Sequence, residues 1–249
     1  MVCRDKARGE RARSEISSQS GNESVDLIVA DLSSMTSIRK SVADFEMRYS
    51  RLDVLVNDAA VYSNTRVLTS EGFELMFATN YLGPFLLTRL LISRLAAAGA
   101  SRVINVTAPS TTKPNLDDLQ GEKKFGALGA FGASKAADLL FTYALSSRLE
   151  GRGVTVNAYH PGIVRTGLMH GAPAPVRFIT SIMKFFVGVT PERASEGLVQ
   201  LATSAQFEKV TGELIHNGKS ISAPFIDDKD LQDRLWSASC RLVGLSENA

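Results

Sequence analysis

Apolar and polar positions along this chain fall into two kinds of block. Short runs dense in aliphatic and β-branched residues occur at 25–32 (VDLIVADL), 52–60 (LDVLVNDAA), 101–106 (SRVINV) and 154–159 (VTVNAY). Such runs, apolar on both faces, predict buried strands. Between them lie longer stretches with apolar residues at helical spacing, as at Ile38, Val42 and Phe45. Helices are predicted from about 5 to 19, ended by Gly21-Asn22, and after a cap at Ser33 or Ser34. A long one starts at Thr69-Ser70-Glu71-Gly72, breaks near Gly83-Pro84 and ends near Leu95. Another carries Phe131 and Lys135 to about Leu149, where Gly151 and Gly153 stop it. Segment 172–189 reads as a lid with a short apolar helix. A helix at 191–204, a short strand at 212–216 and an amphipathic helix at 227–245 complete the chain.

Strands alternating with helices at this spacing predict an α/β fold, a doubly wound parallel sheet of the Rossmann type, in one domain over 1–249. Ligands of such sheets bind beyond the carboxyl ends of the strands, where Asp31, Ala59, Thr107 and Pro161 fall.

Composition narrows the function classes. A length of 249 residues and 44% hydrophobic content suffice for one substantial core. A net charge of +2 gives no electrostatic footprint for nucleic acid. Cys3 and Cys240 stand at opposite ends, and His160, His170 and His216 show no ligand spacing, so neither a disulfide framework nor a metal site is expected. The first residues lack the apolar core of a signal peptide, and acidic residues interrupt their arginines. The run at 81–100 carries Arg89 and Arg94 and suits a buried helix better than a membrane span. The expectation is a cytoplasmic protein without membrane association.

The candidate chemistry centres on Ala130-Phe131-Gly132-Ala133-Ser134-Lys135. Four residues apart on a helix, Phe131 and Lys135 share a face, placing a ring and an ammonium side by side. A phenylalanine ring can neither give nor take a proton. The plain alternative for Lys135 is a solvated helix lysine, and for Asn80 a cap or bridge inside a helix kink.

Five segments in order make the chain resemble the short-chain dehydrogenase/reductase family, in its retinol-dehydrogenase-like branch. They are Asp31-Leu32, Asn57-Asp58-Ala59-Ala60, Thr79-Asn80-Tyr81-Leu82-Gly83, Leu119-Gln120-Gly121-Glu122-Lys123, and His160-Pro161-Gly162 with Thr166. The resemblance implies hydride transfer between NADP or NAD and a carbonyl or alcohol, here a small and lipophilic one. It assigns Asn80 and Lys135 to the catalytic machinery. It assigns Arg4, Asp31, Leu32, Asn57, Ala59, Lys135, Pro161, Ile163 and Thr166 to the cofactor, with Arg4 equally readable as a surface charge. It also implies a homodimer through the two long helices, whose Leu86, Leu87, Leu90, Leu139, Leu140 and Phe141 suit intrachain packing equally well.

The chain departs from the family's pattern at four places. Ala108 takes the position of the serine that polarises the carbonyl, and Phe131 that of the tyrosine that protonates it. Losing a general acid costs about 10²- to 10⁴-fold and an oxyanion donor about 10²- to 10³-fold. Thr107 and Ser110 carry the hydroxyls nearest the lost serine. Tyr143 is twelve residues from Phe131, about 18 Å along a helix, and Tyr159 suits the core. Ala60 replaces a glycine. No Gly-rich turn for the pyrophosphate precedes Met1-Val2-Cys3-Arg4-Asp5, which resembles the tail of the second strand. The expectation is therefore a first βα unit missing through truncation or a misassigned start, doubtful cofactor binding, and impaired or absent catalysis, with a non-catalytic pseudoenzyme that serves as a binding or interaction scaffold as the alternative. Strand 25–32 would then lose its partners or pair with the strand at 52–56.

Overall fold

The computed structural model describes residues 1–165, 168 and 188–248. Thr166, His170 and most of the expected lid lie outside these. The chain opens with β1 (Val2–Cys3) and α1 (Lys6–Ser20), the latter capped by Asp5, which accepts from Arg8 N at 2.8 Å, and ended by Gly21 at φ 69°. β2 (Ile28–Val29) leads to α2 (Met35–Arg48), whose cap is Ser34, accepting from Ser37 N at 3.1 Å. Glu71 adds a second cap from across the fold. Its carboxylate accepts from Ser34 Oγ, Met35 N and Thr36 N, where the positive end of the helix favours an anion.

β3 (Val54–Asn57) is followed by α3 (Leu75–Phe77), a π-helical turn at Ala78–Leu82, and α4 (Gly83–Ala96). The helix expected from Thr69 thus begins at Leu75. Thr69 to Gly72 closes into a turn instead, with Gly72 at φ 83°, which leaves Glu71 free to reach α2. The break expected at Gly83-Pro84 lies just upstream, as the π turn. Then follow β4 (Ser101–Val106), α5 (Ala127–Arg148), β5 (Val154–Tyr159), α6 (Pro191–Thr203), β6 (Leu214–His216), β7 (Lys219–Ile221) and α7 (Lys229–Val243).

Five strands pair in the order β3-β4-β5-β6-β7, parallel up to β6, with β7 returning antiparallel through a turn at Asn217-Gly218. The sequence pattern missed β7, because three residues with two polar ones give no strand signal. β1 and β2 form a separate parallel pair, Val2 opposite Ile28 and Cys3 opposite Val29. The expectation that strand 25–32 loses its partners or joins 52–56 is corrected. It shortens to two residues and pairs with the segment at Val2-Cys3, because a ladder extends only as far as both strands run. Among the described residues no strand bridges β1 and β3, and Val56 on β3 remains 39% exposed.

The two sheets are joined through helices. α2 packs on α4, and the start of α4 presses on Leu32: a Cβ placed at Gly83 would lie 2.2 Å from Leu32 O. On one face of the larger sheet, Phe85, Phe141 and Trp236 bring α4, α5 and α7 together, with Phe85–Trp236 centroids at 5.3 Å. Arg89 and Arg148 sit over Trp236 at 4.6 and 4.3 Å from its ring. On the other face α6 packs on Ile104, Tyr159 and Ile215. Segment Leu75–Ala96 is long and apolar enough to cross a membrane, but 83% of its apolar window is buried in this core. Leu86, Leu87, Leu139, Leu140 and Phe141 are likewise buried within the chain, and Leu90 is half-buried.

Candidate active site

The carboxyl ends of β3, β4 and β5 bring Ala59, Thr107, Ala108 and Pro161 to one end of the sheet, beside the N-terminal part of α5. An amide ladder beneath it ties the strands to the helices. Asn57 Nδ2 donates to Asn105 Oδ1 at 2.8 Å and to Thr88 Oγ1 at 3.0 Å, and Asn105 Nδ2 donates to Thr142 Oγ1 at 2.9 Å. Asn57, 7% exposed, is therefore committed to holding β3, β4, α4 and α5 in register.

Asn80 lies in the π turn and is 1% exposed. Its Oδ1 accepts from Val61 N at 2.7 Å, and its Nδ2 donates to Val61 O at 3.0 Å and Ser134 Oγ at 3.0 Å. One amide side chain thus clamps the segment after β3 to α5. The extra residue of a π turn swings such a side chain out of the regular helical row, which is why π turns gather at sites.

Lys135 is buried at 7% exposure. Its Nζ donates to Val106 O at 3.1 Å and to Asp138 Oδ2 at 3.3 Å. Two of the three ammonium donors are used, leaving one. Asp138 is 3% exposed, and its Oδ1 has no hydrogen-bond partner. Burial pushes the Asp138 carboxyl up to about 7, with the Lys135 charge pulling the other way. No sequence motif had marked Asp138; three residues after a lysine it reads as an ordinary helix pair.

Phe131, one turn before Lys135, is half-buried and meets Tyr62 edge-on, with centroids 5.7 Å apart and planes at 70°. The stand-in hydroxyls expected near Ala108 are both engaged with α5: Thr107 Oγ1 donates to Lys135 O at 2.9 Å and Ser110 Oγ to Gly132 O at 2.7 Å. Tyr159 is core, donating to Ala194 O at 2.6 Å. Ile163 O accepts from Val189 N at 2.9 Å, while Pro161 is half-buried in the turn after His160. His160 lies against His216 at 4.8 Å between rings, and burial together with the His216 charge holds its pKa below the ordinary histidine value.

The outlying candidates are placed differently. Asp31 closes its own turn, accepting from Ser33 N at 2.9 Å and Ser33 Oγ at 2.7 Å, and Leu32 packs against Gly83 and the core. Arg4 and Ala59 are exposed. A separate cavity of about 290 Å³ opens on another face of α5, between Gly129, Ala130 and Ala133 and the loop at Thr112 to Phe125; neither Phe131 nor Lys135 lines it.

The short chain dehydrogenase family profile matches residues 1–175. The chain belongs to this family. It is 37% identical to human retinol dehydrogenase 13 over 98% of its own length and 76% of that protein. Human polyprenol dehydrogenase matches at 33% over 96% of the chain and 75% of the relative. Among solved structures, a putative NAD(P)-dependent gluconate 5-dehydrogenase from Beutenbergia cavernae with bound NADP aligns at TM-score 0.68 and 25% identity, covering 86% of this chain and 82% of that one.

The family implies a nicotinamide dinucleotide, and the described residues fit it in part. The spare donor of Lys135 at the carboxyl end of β4 suits a ribose hydroxyl. Close backbone approach to a pyrophosphate needs turns without Cβ atoms, and the strand-to-helix turns after β1 and β2 contain no glycine. The pyrophosphate end therefore has no cradle among the described residues.

Proposed function

We propose that this short-chain dehydrogenase/reductase chain belongs by descent to the NAD(P)-linked oxidoreductases of lipophilic alcohols or carbonyls, and that its own hydride transfer is impaired. The observation that carries the reading is Phe131. At the position one turn before a buried lysine, where a proton must be given to a developing alkoxide, the side chain has no oxygen. Ala108 adds no hydroxyl, and those of Thr107 and Ser110 are donated to α5. Asn80 and Lys135 then act as positioning groups, one holding the segment after β3, the other presenting a single spare ammonium donor to a ribose. NADP or NAD would bind at the carboxyl ends of the strands, with its ribose toward Lys135. The relatives named for retinol and polyprenol support a lipophilic ligand.

A second reading, a non-catalytic binding scaffold, draws support from the commitment of Lys135 to Val106 O and Asp138 Oδ2, which takes two of its three ammonium donors. Titrating the protein with NADPH by nicotinamide fluorescence, and following NADPH oxidation with all-trans-retinal, separates the readings. Binding with turnover that is slow but saturable supports the impaired enzyme. Binding without turnover supports the scaffold. Turnover typical of an efficient dehydrogenase, on the order of 10 per second, overturns both.

A further inference from the structure

Tyr62 is the residue that sequence reasoning passed over. It follows Val61, both of whose backbone groups are held by Asn80, so its position is set by the same clamp that ties this segment to α5. Its ring stands edge-on to Phe131. Its phenol oxygen is buried and has no hydrogen-bond partner. Buried hydroxyls are nearly always paired, and one left unpaired costs free energy that a bound acceptor would return. Of the other buried phenols, Tyr81 Oη is hydrogen-bonded to Ser239 Oγ at 2.6 Å and Tyr159 Oη to Ala194 O; Tyr143 Oη is unpaired like that of Tyr62, but it lies three turns along α5 from Phe131.

We propose that Tyr62 supplies the hydroxyl that position 131 lacks, donating from beside the Phe131 ring to the oxygen of a carbonyl or alcohol ligand that lies against that ring pair. The inference rests on the reading above that the crevice takes an oxygenated lipophilic ligand. It assigns Tyr62 a binding role and requires no chemical step. A site with an unpaired donor discriminates for ligands that carry the matching oxygen, since an analogue without it leaves the donor unsatisfied. The edge-on contact with Phe131 fixes the phenol plane at low entropic cost.

The test uses the whole protein, with all-trans-retinal as probe and the polyene absorbance as readout, alongside the hydrocarbon analogue that lacks the oxygen. Tyr62→Phe should weaken retinal binding about 3- to 10-fold, the size expected of one hydrogen bond, and leave binding of the hydrocarbon unchanged. Its melting temperature should stay level or rise, because no protein hydrogen bond is lost. In a Phe131→Tyr background, Tyr62→Phe should cost less than about twofold, because the two hydroxyls then serve one oxygen. Equal retinal affinity in wild type and Tyr62→Phe, or an equal loss for retinal and hydrocarbon, overturns the proposal while the crevice reading stands. Absence of retinal binding to the wild type also overturns it; absence of NADPH binding as well takes down the crevice reading with it.

Discussion

Lys135 Nζ lies 3.3 Å from Asp138 Oδ2, one turn along the same helix, with both side chains buried and the second Asp138 oxygen unpaired. A buried pair of this kind is a weak source of stability, because each charge loses its hydration. Its value lies in fixing where the ammonium points. Here it points at Val106 O and Asp138, with one donor left over.

The pair makes stability depend on pH with a definite sign. An unfolded aspartate titrates near 3.9, whereas burial holds Asp138 up to about 7 in the fold. Between these values the folded chain binds a proton that the unfolded chain does not. The contribution to stability is full below about pH 4 and lost as the pH rises through about 7. Urea denaturation of wild type and Asp138→Asn from pH 4 to 8 should show the wild type losing stability relative to the variant across that window. Parallel curves would mean that Asp138 stays charged throughout.

Restoring the missing groups should restore chemistry. Phe131→Tyr with Ala108→Ser is expected to raise kcat/KM for NADPH-linked reduction of retinal by about 10²-fold or more, the usual contribution of a general acid. The gain should be less than the product of two separate effects, because both groups serve one transition state. No gain would mean that the groups at 108 and 131 are not what limits turnover.

Asn80→Ala should cost about 1–3 kcal/mol of stability, because Val61 N and O lose their partner inside the protein. The same change frees Tyr62 from its position, so ligand affinity should fall along with the denaturation midpoint. Asn80→Asp restores the acceptor for Val61 N but not the donors to Val61 O and Ser134 Oγ, and should recover only part of the loss.

Gly83→Ala tests how the β1–β2 pair is attached. The added Cβ would stand 2.2 Å from Leu32 O, a backbone atom that cannot rotate aside. Separation of α4 from β2 and α2 should follow, with a loss of about 1–3 kcal/mol, the usual cost of overpacking. Hydrogen exchange should rise first at Ile28 and in α2. A neutral substitution would show that this joint is loose.

Trp236→Ala should cost about 3–5 kcal/mol, since the ring is 1% exposed and joins Phe85 and Phe141 under two guanidinium groups. Calorimetry should show one transition at lower temperature, because the face it joins is shared by α4, α5 and α7.

Much of the architecture could be read from the order of residues. Strands β3, β4 and β5 and helices α1, α2 and α5 follow from local apolar period and from caps such as Asp5, Ser34 and Gly21, which act within a turn of the chain. The family motifs likewise identified Asn80 and Lys135 as the marked positions. What escaped was whatever depends on distant partners. β2 shrank to Ile28–Val29 because its ladder is set by Val2–Cys3, and the helix expected at Thr69 starts at Leu75, the turn before it freeing Glu71 to cap α2 across the fold. Asp138 and Tyr62 carry no motif. Their character arises from burial without a full set of hydrogen bonds, a property of the folded environment rather than of the residue type. Local chemistry thus settled the order of elements and the absence of an oxygen at 131, because side-chain identity and short-range period are written in the chain. Folding decided that Lys135 faces an aspartate and that a phenol stands beside Phe131, because desolvation and contact exist only after distant segments have met.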